Sequence, residues 1–244
     1  MNFIVLASGR GSRLNKITRE KPKCLIKIKN KKTIIDFISE NFLDINNNII
    51  VTGYKSHLIK KHLKDRNIKF VKNKNYIGTN MVESLILSKR KLKKGDLIIL
   101  YSDIFFDKKI IQKIVKIKDN VIPVNANWLR SWKKRYKTLK KIKNDAEDLR
   151  VSNGNIISIG DKIKKKLPKF QYMGIIKINR KTFNKLDKFY KILNNKKISL
   201  TEFINQSIKS NITTYKYSVI KNYWYEVDNY QDLKFLKKDS IILK

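Results

Sequence analysis

Short apolar runs alternate with amphipathic stretches along this chain. Residues 3 to 6 (Phe-Ile-Val-Leu) are continuously apolar and predict a buried strand. Residues 33 to 45 place Ile34, Ile38 and Phe42 on one helical face, with Thr33 as N-cap. A strand is expected over residues 48 to 52, after which Gly53-Tyr54 turns into a helix from Ser56 with Leu58, Ile59 and Leu63 inward. Residues 68 to 71 predict a third strand. The order β-α-β-α-β implies a parallel sheet with helices on its faces. Ligands of such sheets bind beyond the carboxyl ends of the strands, and the loop at residues 8 to 13 lies at such an end.

Further along, Thr79 is expected to cap a helix carrying Val82, Leu85 and Ile86, its start facing the same rim. Residues 96 to 107 form the most apolar run and predict the centre of the sheet. Asp103 interrupts that run; an ionised carboxylate there is costly unless paired or coordinated, so a metal role is attractive. Asp107 lies beyond it and reads as a helix cap. A helix over 108 to 117 and a strand over 120 to 125 follow. Trp128, Trp132 and Tyr136 then share one helical face, and Asn153-Gly154 is a hairpin signal between two short strands. Residues 171 to 178 read as a strand returning to the sheet, followed by helices over 180 to 193 and 200 to 209 and a strand over 213 to 219. Near the end, strand alternation puts Trp224, Glu226 and Asp228 on one face and Tyr225 and Val227 on the other. The 244 residues are therefore expected to form one α/β domain, with residues 1–125 as one half, an inserted lobe at 126–170 and the remainder of the sheet in 171–244.

Composition narrows the function classes. The single cysteine, Cys24, excludes an intramolecular disulfide and a cysteine-based metal cluster, and reads as a small core residue. No stretch approaches the roughly 20 apolar residues of a membrane span, and the first apolar run is short and lacks a cleavage pattern, so a cytoplasmic protein is expected. Lys and Arg number 57 against 20 acidic residues, a formal net charge of +37. Such an excess suggests nucleic acid or an anionic membrane. Here, however, the lysines are spread over nearly every expected helix amid many Ile and Asn residues, as in the drift of an AT-rich genome, and no recognition motif or basic tail accompanies them. No specific nucleic-acid site is expected, only weak binding to polyanions at low salt. His57 and His62 sit on a lysine-rich helix and read as solvated.

The chemistry concentrates in the first 25 residues. Gly9 and Gly11 let backbone N–H groups turn toward one point, Arg10 and Arg13 add guanidinium forks, and Lys21 and Lys23 flank the stiff Pro22. Such a loop suits a ligand with several phosphates, although a bland Gly- and Arg-rich turn would share a lone GxG. A Rossmann dinucleotide loop would need glycine where Leu14 stands, and no Gly-Lys-Ser/Thr follows as a P-loop requires.

The N-terminal strand, the glycine loop, Arg13-Leu14 and the Pro-Lys that follows together resemble the signature of the nucleotidyltransferases that make sugar nucleotides and CDP-alcohols. The resemblance implies a GT-A-like fold with a mostly parallel, Rossmann-like central sheet, in which Leu6, Ala7, Ser8, Gly9, Gly11 and Ser12 hold base and triphosphate and Arg13 and Lys23 bind phosphate. It implies Mg²⁺ on Asp103 and Asp228, the latter following an aromatic strand and preceding the final helix. Thr79-Asn80-Met81 resembles a stretch of bacterial choline-phosphate and related cytidylyltransferases, implying contacts to base or acceptor; both are also ordinary capping residues. Trp128, Trp132, Asp145-Ala-Glu147 and Gln171-Tyr-Met-Gly resemble the subgroup that activates phosphocholine or related phospho- and phosphono-compounds with CTP. Ser8 stands where Ala or Gly is usual, and Ser12 where sugar enzymes often have Thr.

The implied reaction is attack by a phosphate or phosphonate oxygen on the α-phosphorus of a nucleoside triphosphate. A phosphomonoester's second pKa is about 6, so the nucleophile is already ionised and no general base is needed. Charge neutralisation and alignment then remain as the catalytic task. Trp128, Trp132, Tyr172 and Trp224 beside Asp145, Glu147 and Glu226 are expected to form an aromatic, acidic pocket that attracts an ammonium group. The partners expected are thus CTP and an amine-bearing acceptor such as phosphocholine or 2-aminoethylphosphonate. The alternatives are a sugar-1-phosphate nucleotidylyltransferase and, from a different class, a basic nucleic-acid-binding module. Monomer and homodimer are both left open.

Overall fold

The apolar run that opens the chain forms strand β1 (Asn2–Ala7), buried along its whole length. The structure, a computed structural model, describes residues 1–14, 16–28, 32–42 and 47–238. After β1 come α1 (Lys16–Glu20), α2 (Ile34–Ser39), β2 (Asn47–Thr52), α3 (Ser56–His62) and β3 (Lys69–Lys72). Strand β1 pairs in parallel with β2, and β2 with β3, as the alternating order predicts. Helix α2 opens on a capping box: the Thr33 hydroxyl accepts from the Asp36 N–H and the Asp36 carboxylate accepts from the Thr33 N–H. Residues 43 to 45 of the helix expected there lie outside the described residues.

The middle of the chain supplies α4 (Met81–Leu87), β4 (Leu97–Tyr101), β5 (Ile104–Phe106), α5 (Lys109–Val115), β6 (Val121–Asn125), α6 (Trp128–Arg135), α7 (Leu139–Asp145) and the hairpin β7 (Glu147–Ser152) and β8 (Asn155–Lys162). Then follow β9 (Gln171–Tyr172), β10 (Ile175–Ile178), α8 (Arg180–Ile192), α9 (Leu200–Lys209), β11 (Lys216–Ile220), β12 (Trp224–Glu226) and α10 (Tyr230–Lys238). The main sheet runs β3-β2-β1-β4-β10-β6-β11-β8-β7, with β9 on β6. Its first four strands and the β6–β11 pair are parallel, while β10 runs antiparallel to both neighbours. Alternate residues of β1 feed two apolar layers: Phe3 and Val5 join Ile34, Ile38 and Ile110, and Ile4 and Leu6 join Val82, Leu85 and Phe183. Helices on both faces explain why the strands read as unbroken apolar runs.

Several expectations are corrected. The run at 96 to 107 is two strands, because the chain leaves the sheet at Ser102-Asp103 and β5 pairs antiparallel with β12 in a separate ribbon. The run at 171 to 178 is also split, at Met173-Gly174, where Gly174 has φ +71 and a Cβ on it would lie 3.1 Å from the Tyr101 Cγ. Residues 126 to 170, expected as an inserted lobe, carry the hairpin that the sequence signals, and β8 meets β11 of the main sheet through Asn155 opposite Lys216, a long-range pairing that no local pattern encodes. Asn80 rather than Thr79 caps α4, its side chain accepting from the Met81 N–H, while the Thr79 hydroxyl donates to the Asn75 carbonyl. His62 is not merely solvated: its Nε2 lies 3.0 Å from the Asp36 carboxylate, which also accepts from Arg66.

Candidate active site

The glycine loop leaves β1 at the carboxyl edge of the sheet. Its course is fixed by the Tyr54 N–H, which donates to the Ser8 carbonyl at 2.9 Å, and by the Ser8 hydroxyl, which donates to the Val51 carbonyl and accepts from Ser84. Gly11 has φ +72, and a Cβ there would lie 2.7 Å from the Lys23 Cβ. Glycine thus allows both the left-handed turn and the close passage of the Lys23 side chain beneath the loop.

Lys23 reaches across to the other half of the site. Its Nζ is 2.7 Å from Asp103 Oδ2 and 3.2 Å from Asp228 Oδ1, and Arg13 Nη2 is 2.7 Å from the same Asp228 oxygen. The β5–β12 ribbon makes this meeting possible, pairing Ile104 with Glu226 while the Val227 N–H donates to the Asp103 carbonyl at 2.9 Å. Carboxylate oxygens of Asp103, Glu226 and Asp228 lie within 4.8 Å of one another. Burial would lower the Lys23 pKa, but Asp103 and Asp228 outweigh it and the net direction is upward. Burial likewise opposes the charge of Asp228, yet Lys23, Arg13 and Arg135 bring its pKa below the ordinary value. Glu226 is pushed well up, by burial first and then by the charges of Asp228 and Asp103.

This donor set fits a hard divalent cation. It offers three carboxylates, and Asp103 Oδ1 is buried with no hydrogen-bond partner among the described residues, an unfilled acceptor on one of the three.

A cavity of about 560 Å³ runs from the glycine loop past these carboxylates. Leu6, Ala7, Ser8, Gly9, Gly11, Ser12, Arg13 and Lys23 line one side of it, with Thr79 and Asn80 nearby, and Asp103, Glu226 and Asp228 face the same space. Trp132, Asp145, Glu147 and Tyr172 also line it. Trp128 does not. It is 2% exposed and packs edge-on against Trp132, which in turn stacks on Trp224 at 5.4 Å, so the aromatic stripe mostly serves the core. Arg10 is turned away, its guanidinium 5.7 Å above the Tyr54 ring, and Lys21 is not among the residues lining the cavity.

Sequence reasoning did not single out Arg135 or Asp232. Arg135, its side chain 2% exposed, lies with Nε 2.8 Å from Asp232 Oδ1 and Nη2 3.5 Å from Asp228 Oδ2, against the Trp132 ring. Asp232 in turn accepts from the Asp228 and Asn229 N–H groups, bracing the turn that carries Asp228. The available signal was an acidic residue four positions after Asp228 at a helix start, a capping pattern. Asp145, expected to meet the acceptor, accepts from Trp132 Nε1 at 2.9 Å and lies near Arg135.

An N-terminal phosphate-type loop at the end of a parallel sheet, faced by a lysine and a carboxylate cluster on a returning ribbon, defines an enzyme of the nucleotidyltransferase class. The chain belongs to the nucleotidyl transferase family, whose description matches residues 2–239. It is 33% identical over 253 residues to the CTP:phosphoglutamine cytidylyltransferase of Campylobacter jejuni subsp. jejuni, spanning 96% of this chain and 98% of that one. Identity to the bifunctional protein GlmU of Methanococcus aeolicus is 24% over 245 residues, 100% of this chain but 55% of that longer protein. The fold is that of the CTP:phosphocholine cytidylyltransferase from Streptococcus pneumoniae, with TM-score 0.75, 20% identity and coverage of 100% and 99% of the two chains. It is also that of the inositol-1-phosphate CTP transferase from T. maritima, with TM-score 0.74, 18% identity and coverage of 97% and 96%.

Proposed function

We propose that this enzyme transfers CMP from CTP to a small phosphorylated or phosphono acceptor bearing an amine, with release of pyrophosphate. The observation that carries the reading is the Lys23 ammonium beneath the glycine loop, within 2.7 Å of Asp103 and 3.2 Å of Asp228. One cation thus joins the phosphate side of the cavity to its carboxylate side. The choice of CTP and of an amine-bearing acceptor is supported by the Campylobacter relative, whose acceptor, phosphoglutamine, carries an amine. The acidic wall at Glu147 and Glu226 supports it as well.

In this reaction an acceptor oxygen attacks the α-phosphorus, the α–β phosphoanhydride breaks and pyrophosphate leaves. The attacking phosphate is already ionised at neutral pH, its second pKa being about 6, so no proton has to be removed. The obstacle is repulsion between two anions. Arg13 and Lys23 meet it with positive charge, and the backbone N–H groups of the loop orient the triphosphate. Asp103, Glu226 and Asp228 would hold Mg²⁺, which when bound supplies further charge neutralisation on the phosphate oxygens. In this reading residues 1–125 serve mainly the nucleotide, and Glu147 and Tyr172 face the acceptor.

The deciding experiment is pyrophosphate release over a matrix of nucleoside triphosphates and acceptors with Mg²⁺. Preference for CTP, and for amine-bearing acceptors as a class (2-aminoethylphosphonate, phosphocholine, phosphoglutamine) over sugar phosphates, is expected. Equal turnover of glucose 1-phosphate with UTP or dTTP would overturn it. Lys23→Ala and Asp103→Ala should each lower kcat by about 10²-fold or more while the circular dichroism spectrum stays that of the parent; near-parental pyrophosphate release from both would overturn the site.

A further inference from the structure

The acceptor side of the cavity is not the aromatic cage that the sequence suggests. Trp128 and Trp224 are buried, Trp224 donating its Nε1 to the Met173 carbonyl; of the four aromatics expected there only Trp132 and Tyr172 line the wall, and Tyr101, which also lines it, packs edge-on against Tyr172 at 5.7 Å instead of facing a second ring across the space. A quaternary ammonium depends on such a cage, because it has no N–H to donate.

The wall offers two polar groups whose capacity is unfilled among the described residues, an amide oxygen with no donor and a carboxylate with no cation. Gln171, only 5% exposed, lines the cavity, and its Oε1 accepts no hydrogen bond among the described residues. Glu147 lines the same cavity on strand β7, which packs against β9, the strand that carries Gln171. In a chain with 57 basic residues Glu147 forms no salt bridge among the described residues. Its carboxylate accepts one hydrogen bond, from Thr201 Oγ1 at 3.0 Å, and burial pushes its pKa up. A buried amide oxygen without a donor, lining the same cavity as a carboxylate without a cation, is a costly arrangement unless a ligand completes it. A group that is both cationic and rich in N–H donors satisfies the two at once.

Resting on the amine-bearing acceptor proposed above, we infer that Gln171 and Glu147 hold the acceptor's ammonium through its N–H groups, so that the enzyme selects a primary ammonium over a quaternary one. 2-Aminoethylphosphonate, phosphoethanolamine and the α-amine of phosphoglutamine belong to the favoured class. Phosphocholine, of equal charge but with no N–H, does not.

The test is a methylation series: phosphoethanolamine, its N-methyl and N,N-dimethyl derivatives and phosphocholine, each assayed with CTP and Mg²⁺. Charge and phosphate stay constant while N–H donors are removed stepwise. In the parent enzyme kcat/KM should fall about tenfold or more across the series, mostly through the acceptor KM, with the KM for CTP unchanged. Gln171→Leu and Glu147→Gln should each flatten that gradient. Equal kcat/KM across the series in the parent enzyme overturns the inference while leaving the amine-bearing acceptor intact. A steep gradient that both variants retain overturns the assignment to these two side chains. Turnover of glucose 1-phosphate with no turnover of any member of the series overturns the proposed function itself, and the inference with it.

Discussion

At the scale of single residues, Gly11 couples loop shape to the chemistry. Its φ of +72 excludes most side chains, and a Cβ would lie 2.7 Å from the Lys23 Cβ. Gly11→Ala should therefore cost about 1–3 kcal/mol of stability, read as a lowered urea midpoint, and raise the KM for the nucleotide by displacing the ammonium. An unchanged KM would mean that Lys23 is placed independently of the loop. Gly11 was legible because glycine spacing after an N-terminal strand reports directly on backbone shape. Asp103 was legible for a related reason, as a charge inside an apolar run. Arg135 was not: its partners Asp228 and Asp232 lie 93 and 97 positions away, and nothing local separates it from the surface lysines around it. Trp128 misled because fourfold spacing identifies a face of a helix without saying whether that face meets a cavity or the core.

At the scale of elements, two polar clusters tie neighbouring elements together, the first of them at the site. Arg135 at the end of α6 clasps the turn between β12 and α10 through Asp232, so a helix of the expected lobe supports the carboxylate turn. Arg135→Met should weaken divalent-ion binding, measured with Mn²⁺ in the absence of substrates, by about tenfold, and Arg135→Lys should restore part of it. Parental Mn²⁺ affinity in Arg135→Met would show that the turn holds its shape unaided. The second cluster joins α2 to α3. Burial opposes the Asp36 charge, but hydrogen bonds from the Thr33 side chain and backbone and from His62 prevail, bringing its pKa below the ordinary 3.8. A depressed folded-state pKa means that Asp36 contributes its stability above the unfolded-state value and loses it as pH falls through the folded one. The parent should thus exceed Asp36→Asn by about 1–2 kcal/mol in urea unfolding at neutral pH, with the gap closing below the ordinary Asp range. A gap that widens on acidification would contradict the sign. The capping box at Thr33 and Asp36 was readable as a helix start; the arrival of His62 and Arg66 was not, since it depends on how α3 docks.

At the scale of the whole molecule, the net charge of +37 separates two effects that a single binding assay would confuse. The basic residues are spread along the chain, whereas acidic groups gather inside the cavity at Asp103, Glu226, Asp228 and Glu147. The exterior should attract any polyanion, and the interior should admit only an anion that Arg13, Lys23 and the loop N–H groups can hold. RNA binding should accordingly be steeply salt-dependent and largely lost by roughly 0.2 M salt, as expected when affinity comes from counterion release. Removing one exposed cation, Arg13→Ala, should leave that RNA binding nearly unchanged while impairing turnover. The same field draws in the enzyme's own anionic substrates, so kcat/KM should fall with ionic strength while kcat changes little, because long-range attraction speeds encounter without altering the bound complex. RNA binding that survives high salt and is abolished by Arg13→Ala would reverse this division, placing a nucleic-acid site in the cavity mouth where the phosphate loop now stands.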